Sequence, residues 1–201
     1  LGPWNHTGLF RVDPFQQGDG MQPEAFAADY RLELIANSLD ATFKKYPYSL
    51  GEAIKEEQFG VVEYYTLGEN RWKTTSVWPL PQTRWQRLYF SEDYRLSRKV
   101  PVQEFACDIY QVDSSTSTGV NNRWGCQMGK PVFFNDRQQE DKKLLIYDTP
   151  PLEHAVEITG HPVVYLFVRS DACDGQFFVY LETIDPDGRV RMLTDGQLRA
   201  L

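Results

Sequence analysis

The stretch Phe177-Phe178-Val179-Tyr180-Leu181-Glu182-Thr183-Ile184-Asp185-Pro186-Asp187-Gly188-Arg189-Val190-Arg191-Met192-Leu193 decides the fold class. Its two halves are rich in β-branched and aromatic residues, the composition that suits a pleated, half-buried surface. Between them Pro186 fixes φ and Gly188 is free to take φ > 0, so Asp185 to Gly188 reads as a tight turn. The prediction is a β-hairpin with strands at Phe177 to Ile184 and Arg189 to Leu193. Working outward, similar short apolar runs bounded by Gly, Pro and Asp place further strands near Val61 to Leu67, Trp85 to Phe90, Val102 to Val112, Leu144 to Tyr147 and Val163 to Arg169. Strands at this spacing without intervening helices indicate an antiparallel sandwich or barrel, not a βαβ sheet.

The front of the chain differs. Thr7 to Gln22 is Gly-rich and without period, hence loop. From Pro23 to about Lys45 the residues Phe26, Tyr30, Leu32, Ile35, Leu39 and Phe43 recur every three or four positions, which predicts an amphipathic helix. Pro23 suits its first turn, and Lys44-Lys45 suit its last, ahead of Pro47. Trp78-Pro79-Leu80-Pro81 is the natural boundary, because two prolines stiffen a connector and cannot sit in a central strand. Asp113 to Lys143 is a long polar connection.

Composition narrows the function. The 201 residues include 41% hydrophobic, 14% aromatic and 24% charged side chains, which fits a globular chain large enough to bury a core. A formal net charge of -7 has the wrong sign for neutralising phosphates, so nucleic acid and anionic membrane surfaces are poor partners. No apolar run approaches the roughly 20 residues of a membrane-spanning helix. Cys107, Cys126 and Cys173 are an odd number without a C-x-x-C pair, so they signal neither a zinc site nor a disulfide framework. They leave the compartment open between cytoplasm and an exported location.

Nucleophilic catalysis requires a Ser or Cys, a base and a group that orients the base. No G-x-S-x-G elbow occurs, and Gly125-Cys126-Gln127-Met128-Gly129 carries Gln at the central position. Cys126 reads as an ordinary loop cysteine. His6, His154 and His161 are too far apart in sequence to form a helical metal pair, and zinc is not expected. Asp171, Asp174, Asp185 and Asp187 carry calcium-type oxygens, but acids in such turns ordinarily form the turn. No metal and no cofactor is predicted. His6, directly after an apparent strand end, is the histidine placed where an imidazole can face a cleft and titrate near neutrality.

The segment Leu1-Gly2-Pro3-Trp4-Asn5-His6 resembles the G-P-W-x-H stretch that carries the catalytic histidine in the CocE/NonD serine hydrolases. That group contains cocaine esterase, α-amino acid ester hydrolases and glutaryl-7-aminocephalosporanic acid acylase, with X-Pro dipeptidyl peptidases as relatives. The likeness continues through Gly68 to Trp72, Trp78 to Pro81, Leu144 to Leu152, Val156 to Pro162, Leu181 to Arg189 and Thr194 to Arg199. It covers almost the whole length, in order.

The resemblance implies residues 1–81 as the end of an α/β-hydrolase domain and 82–201 as a truncated, galactose-binding-like jelly-roll sandwich. It implies a Ser-Asp-His triad working through an acyl-enzyme, with His6 as general base and the Ser and Asp outside this chain. The substrate would be a small ester, amide or peptide, and the chain alone would be inactive. The helix from Pro23 would expose an apolar stripe that packs on a missing upstream domain or drives self-association. The alternatives are a free-standing jelly-roll module that binds sugars or peptides, and a purely structural interaction domain. Trp4, Trp72, Trp78 and His161 read as packing residues.

Overall fold

The computed structural model describes residues 12–15, 36, 61–119 and 134–200. The chain divides into two compact units, residues 1–81 with 120–134, and 82–119 with 135–201. Among the described residues the architecture is mainly β, built from three antiparallel two-stranded sheets. The predicted helix lies outside the described residues except for Ala36, which is helical.

In the first unit β1 (Val62–Thr66) pairs with β2 (Arg71–Thr75), with Tyr65 opposite Trp72 and Thr66 opposite Arg71. The turn between them is closed by Asn70 N donating to Thr66 O at 2.9 Å, and Gly68 and Asn70 both take positive φ. Gly68 also has the Phe15 ring against it: an added Cβ would meet a ring carbon at 3.3 Å. Edge-to-face contacts pin the aromatic faces, Tyr65 on Trp72 at 5.3 Å and buried Tyr64 on Trp78 at 5.7 Å.

The second unit contains the short hairpin β3 (Tyr89–Ser91) and β4 (Arg95–Ser97), joined by a 3₁₀ turn at Glu92–Tyr94. It also contains the long hairpin β5 (Gly175–Ile184) and β6 (Val190–Ala200), closed by the Asp185 to Gly188 turn. There Asp185 N donates to Arg189 O, Gly188 N donates to Asp185 O, both at 2.9 Å, and Gly188 has φ +85°. The second strand runs seven residues past the predicted Leu193, to Ala200. Its far half is polar and exposed, which hides it from a reading based on apolar runs. A β-bulge lies where Leu181 pairs with Thr194 and Glu182 pairs with Met192, leaving Leu193 unopposed.

Val190 and Met192 alternate onto one buried face of β6. The segment before a short helix, Gln138–Asp141, meets the outer edge of β6 at its first residue: Arg137 N donates to Val190 O at 3.1 Å and Val190 N donates to Asp136 Oδ1 at 3.0 Å. The first residue of β6, beside the turn, thereby has both of its outward backbone groups bonded.

Three predicted strands are absent among the described residues. Val102 to Val112 and Val163 to Arg169 have no ladder partner there, and Leu144 to Tyr147 runs only up to a single bridge between Asp148 and Arg95. Composition makes such segments fit for a sheet, but a strand exists only where a neighbour accepts its hydrogen bonds. Val102 is 98% exposed and Phe167 fully so. Of Trp85 to Phe90, only Tyr89 and Phe90 enter a strand.

Candidate functional site: an open cleft and a buried ion cluster

His6 and Cys126 lie outside the described residues. His154 and His161 are exposed, and His161 packs edge-to-face on Trp85 with centroids 6.0 Å apart. Among the described residues neither histidine hydrogen-bonds a serine or cysteine, so no nucleophile and base are brought together there. Cys107 and Cys173 are exposed free thiols. Three of the four aspartates with calcium-type oxygens, Asp174, Asp185 and Asp187, are engaged otherwise. Asp174 pairs with Arg199 at 2.5 Å, Asp185 pairs with Arg191 at 2.5 Å, and Asp187 Oδ1 accepts from Arg189 N at 3.1 Å. Arg199 holds the Asp174 carboxyl below the usual carboxylate range.

The β3–β4 turn builds one side of a cleft of about 390 Å³, lined by Asp93, Tyr94, Arg95, Leu144, Ile146 and Asp148 among others. Asp93 and Tyr94 both have φ near +55°, a left-handed conformation that is costly for a bulky residue such as Tyr. Backbone bonds on either side hold the turn: Leu96 N donates to Asp148 O and Asp148 N donates to Tyr94 O. The Arg95 guanidinium adds a 2.7 Å ion pair to Asp148. Behind it Tyr147 packs between Phe90 and Tyr94 and donates its hydroxyl to Asp108 Oδ2 at 2.5 Å. Burial, then that carboxylate, pushes the Tyr147 phenol upward, so it stays protonated and serves as a donor. The cleft lining carries the Arg95–Asp148 ion pair, the Asp93 carboxylate, the Tyr94 ring and three aliphatic side chains, polar and apolar groups of the kind that hold a ligand; it contains no activated nucleophile.

A second constellation is buried. Arg137 lies with its guanidinium 4.2 Å above the Tyr180 ring, its Nε donating to Glu182 Oε1 and its NH2 3.5 Å from Asp141 Oδ1. The Tyr180 hydroxyl shares a 3.0 Å hydrogen bond with Thr118 Oγ1. Desolvation, followed by the Glu182 charge, raises the Asp141 carboxyl to about 7. None of these residues stands out in the sequence. Arg137 and Asp141 sit in a polar connection, and Glu182 is 45 positions from Arg137. The one available signal is the single charged residue, Glu182, in the otherwise uncharged and largely apolar β5.

Residues 57–201 match the family described as the X-Pro dipeptidyl-peptidase C-terminal non-catalytic domain. The chain belongs to that family. Over its whole length the chain is 43% identical to proteins named as serine esterases in Mycobacterium bovis and Mycobacterium tuberculosis, covering 30% of each. It is also 26% identical to the cocaine esterase of a Rhodococcus strain, over 99% of the chain and 35% of that protein. The chain thus spans about a third of the length of the curated relatives it matches. No solved structure matches it significantly. The resemblance to the CocE/NonD hydrolases is therefore shown, and the domain that fills most of the chain is non-catalytic in that family.

Proposed function

We propose that this chain is the C-terminal part of a serine hydrolase that cleaves small esters, amides or peptides. In this reading residues 1–81 finish an α/β-hydrolase domain and 82–201 form a truncated jelly-roll domain. His6 is the general base. It takes the proton from a serine hydroxyl as that oxygen attacks the substrate carbonyl, then delivers it to the departing alcohol or amine. Water, activated by the same imidazole, releases the acyl group. The serine and the aspartate that orients the imidazole come from parts of the parent outside this chain.

The observation that carries the reading is the match of residues 57–201 to a non-catalytic domain within chains named as serine esterases. The absence of a G-x-S-x-G elbow from the sequence agrees with it. The test compares p-nitrophenyl acetate hydrolysis by this chain with hydrolysis by the full-length parent, with and without His6→Ala. The chain alone is expected to give no turnover. In the parent, His6→Ala is expected to lower kcat by roughly 10³-fold or more with the circular dichroism unchanged. An unaltered kcat in that variant overturns the assignment.

A further inference from the structure

The face of the β5–β6 hairpin that carries Tyr180, Glu182, Val190 and Met192 is covered by residues 136–141. The charges at that contact do not balance. Arg137 and Asp141 side chains are each 7% exposed and Glu182 is 18% exposed, so two carboxylates and one guanidinium occupy a site nearly closed to water. Arg137 turns its Nε toward Glu182, while its distance to Asp141, 3.5 Å, is too long for a good hydrogen bond. Asp141 Oδ1 is left buried without a hydrogen-bond partner. A surplus negative charge in such a place is expensive, and neutralisation by a proton is its ordinary relief.

We propose that Asp141 and Glu182 hold one proton between them beneath the Arg137 guanidinium, and that this proton latches the 136–141 segment to the β5–β6 hairpin, releasing it as the pH rises. With the proton on Asp141, its hydroxyl donates to the Glu182 carboxylate and the cluster is neutral. Without it, two carboxylates face one another and Arg137 can satisfy only one of them. The other charges acting on Asp141 do not supply the missing cation. Asp136 on the same segment is itself acidic and adds to the repulsion. On β6 Arg191 is committed to Asp185, and both it and Arg189, the residue before β6, act on Asp136. On the helix Glu140 is paired with Lys143 at 3.2 Å. On β5 Tyr180 presents an uncharged ring to Arg137.

The sign of the effect follows from linkage. A carboxyl raised from 3.8 to about 7 keeps a proton in the folded chain that the unfolded chain has already lost. Stability attributable to it is fully present below pH 3.8, is lost as the pH rises from there to about 7, and is absent above that.

The test is a ¹³Cγ/¹³Cδ NMR titration of the Asp and Glu carboxyls of this chain, with urea midpoints at pH 5, 6, 7 and 8. One carboxyl of the pair is expected to titrate near neutrality. Exchange protection at the Arg137 and Val190 amides, corrected for intrinsic rate, is expected to fall at least roughly tenfold between pH 5 and 8. Asp141→Asn should make both quantities insensitive to pH and raise the midpoint at pH 8. Glu182→Gln, which leaves one carboxylate for Arg137, should flatten the profile in the same way. If both carboxyls of the unmodified chain titrate below pH 5, the proposal is wrong whatever the variants do. A decline that persists in folded Asp141→Asn also sinks it.

Discussion

The β5–β6 hairpin and the Val102 to Val112 segment have similar apolar, β-branched character, yet only one is a ladder. In the hairpin ten residue pairs face each other, the turn closes on itself, and the outer edge is bonded to residues 136 and 137. In the other segment Val102, Phe105 and Ile109 stand nearly fully exposed, with no strand beside them among the described residues. Side-chain composition measures how well a segment would suit a sheet. Whether it joins one is decided by a second segment presenting donors and acceptors in register.

Paired substitutions give the largest test of that contrast. Met192→Ala removes a buried side chain from β6 and is expected to cost about 2–5 kcal/mol, read as a lower urea midpoint with unchanged slope. Val102→Ala, at 98% exposure, is expected to shift the midpoint by less than about 0.5 kcal/mol. Equal effects would show that Val102 is packed in solution and that the two regions do not differ.

The same contrast explains what the sequence made legible. The Asp185 to Gly188 turn could be read because Pro and Gly chemistry is local: each residue constrains its own backbone. So could the strand expected near Val61 to Leu67, which is observed at Val62–Thr66. The extension of β6 to Ala200 could not, because Thr194, Asp195, Gln197 and Arg199 advertise no burial. The Arg137, Asp141 and Glu182 cluster was invisible because it joins a polar connection to a strand across 45 positions, and no spacing rule spans that gap. His6 was singled out by its neighbours in the chain, and its geometry lies outside the described residues.

A smaller effect is expected at the turn. Gly188 sits at φ +85°, where a Cβ is strained even though the nearest atom to an added one, Gln138 Nε2, is 3.7 Å away. Gly188→Ala should cost about 1 kcal/mol, seen as a modest drop in thermal midpoint. Gly119→Ala, also at positive φ but with open space around it, serves as the matched control on an irregular segment. A loss at Gly119 and none at Gly188 would mean that the turn does not set the hairpin's register.

The smallest effect is expected at the open end of the hairpin. Asp174→Asn removes the carboxylate paired with Arg199, but both groups are solvated, and such ion pairs are weak. No measurable change in midpoint is expected at 0.15 M salt, with at most a slight loss at low salt. A clear loss at high salt would indicate that this end is shielded from water.

The bulge beside Glu182 has a consequence for anyone counting along β6. Because Leu193 has no opposite number, odd and even positions exchange sides as the chain passes it: Val190 and Met192 share a side with Asp195 and Gln197, while Thr194 and Leu198 share the reverse. One supernumerary residue thus acts as a change of frame. It lets a single strand present an oily surface near the turn and a hydrophilic one further on without altering its direction. Deleting Leu193 would remove the bulge and leave Leu198 on the side opposite Met192, whereas giving Leu193 a partner of its own would carry Leu198 round to the side of Met192.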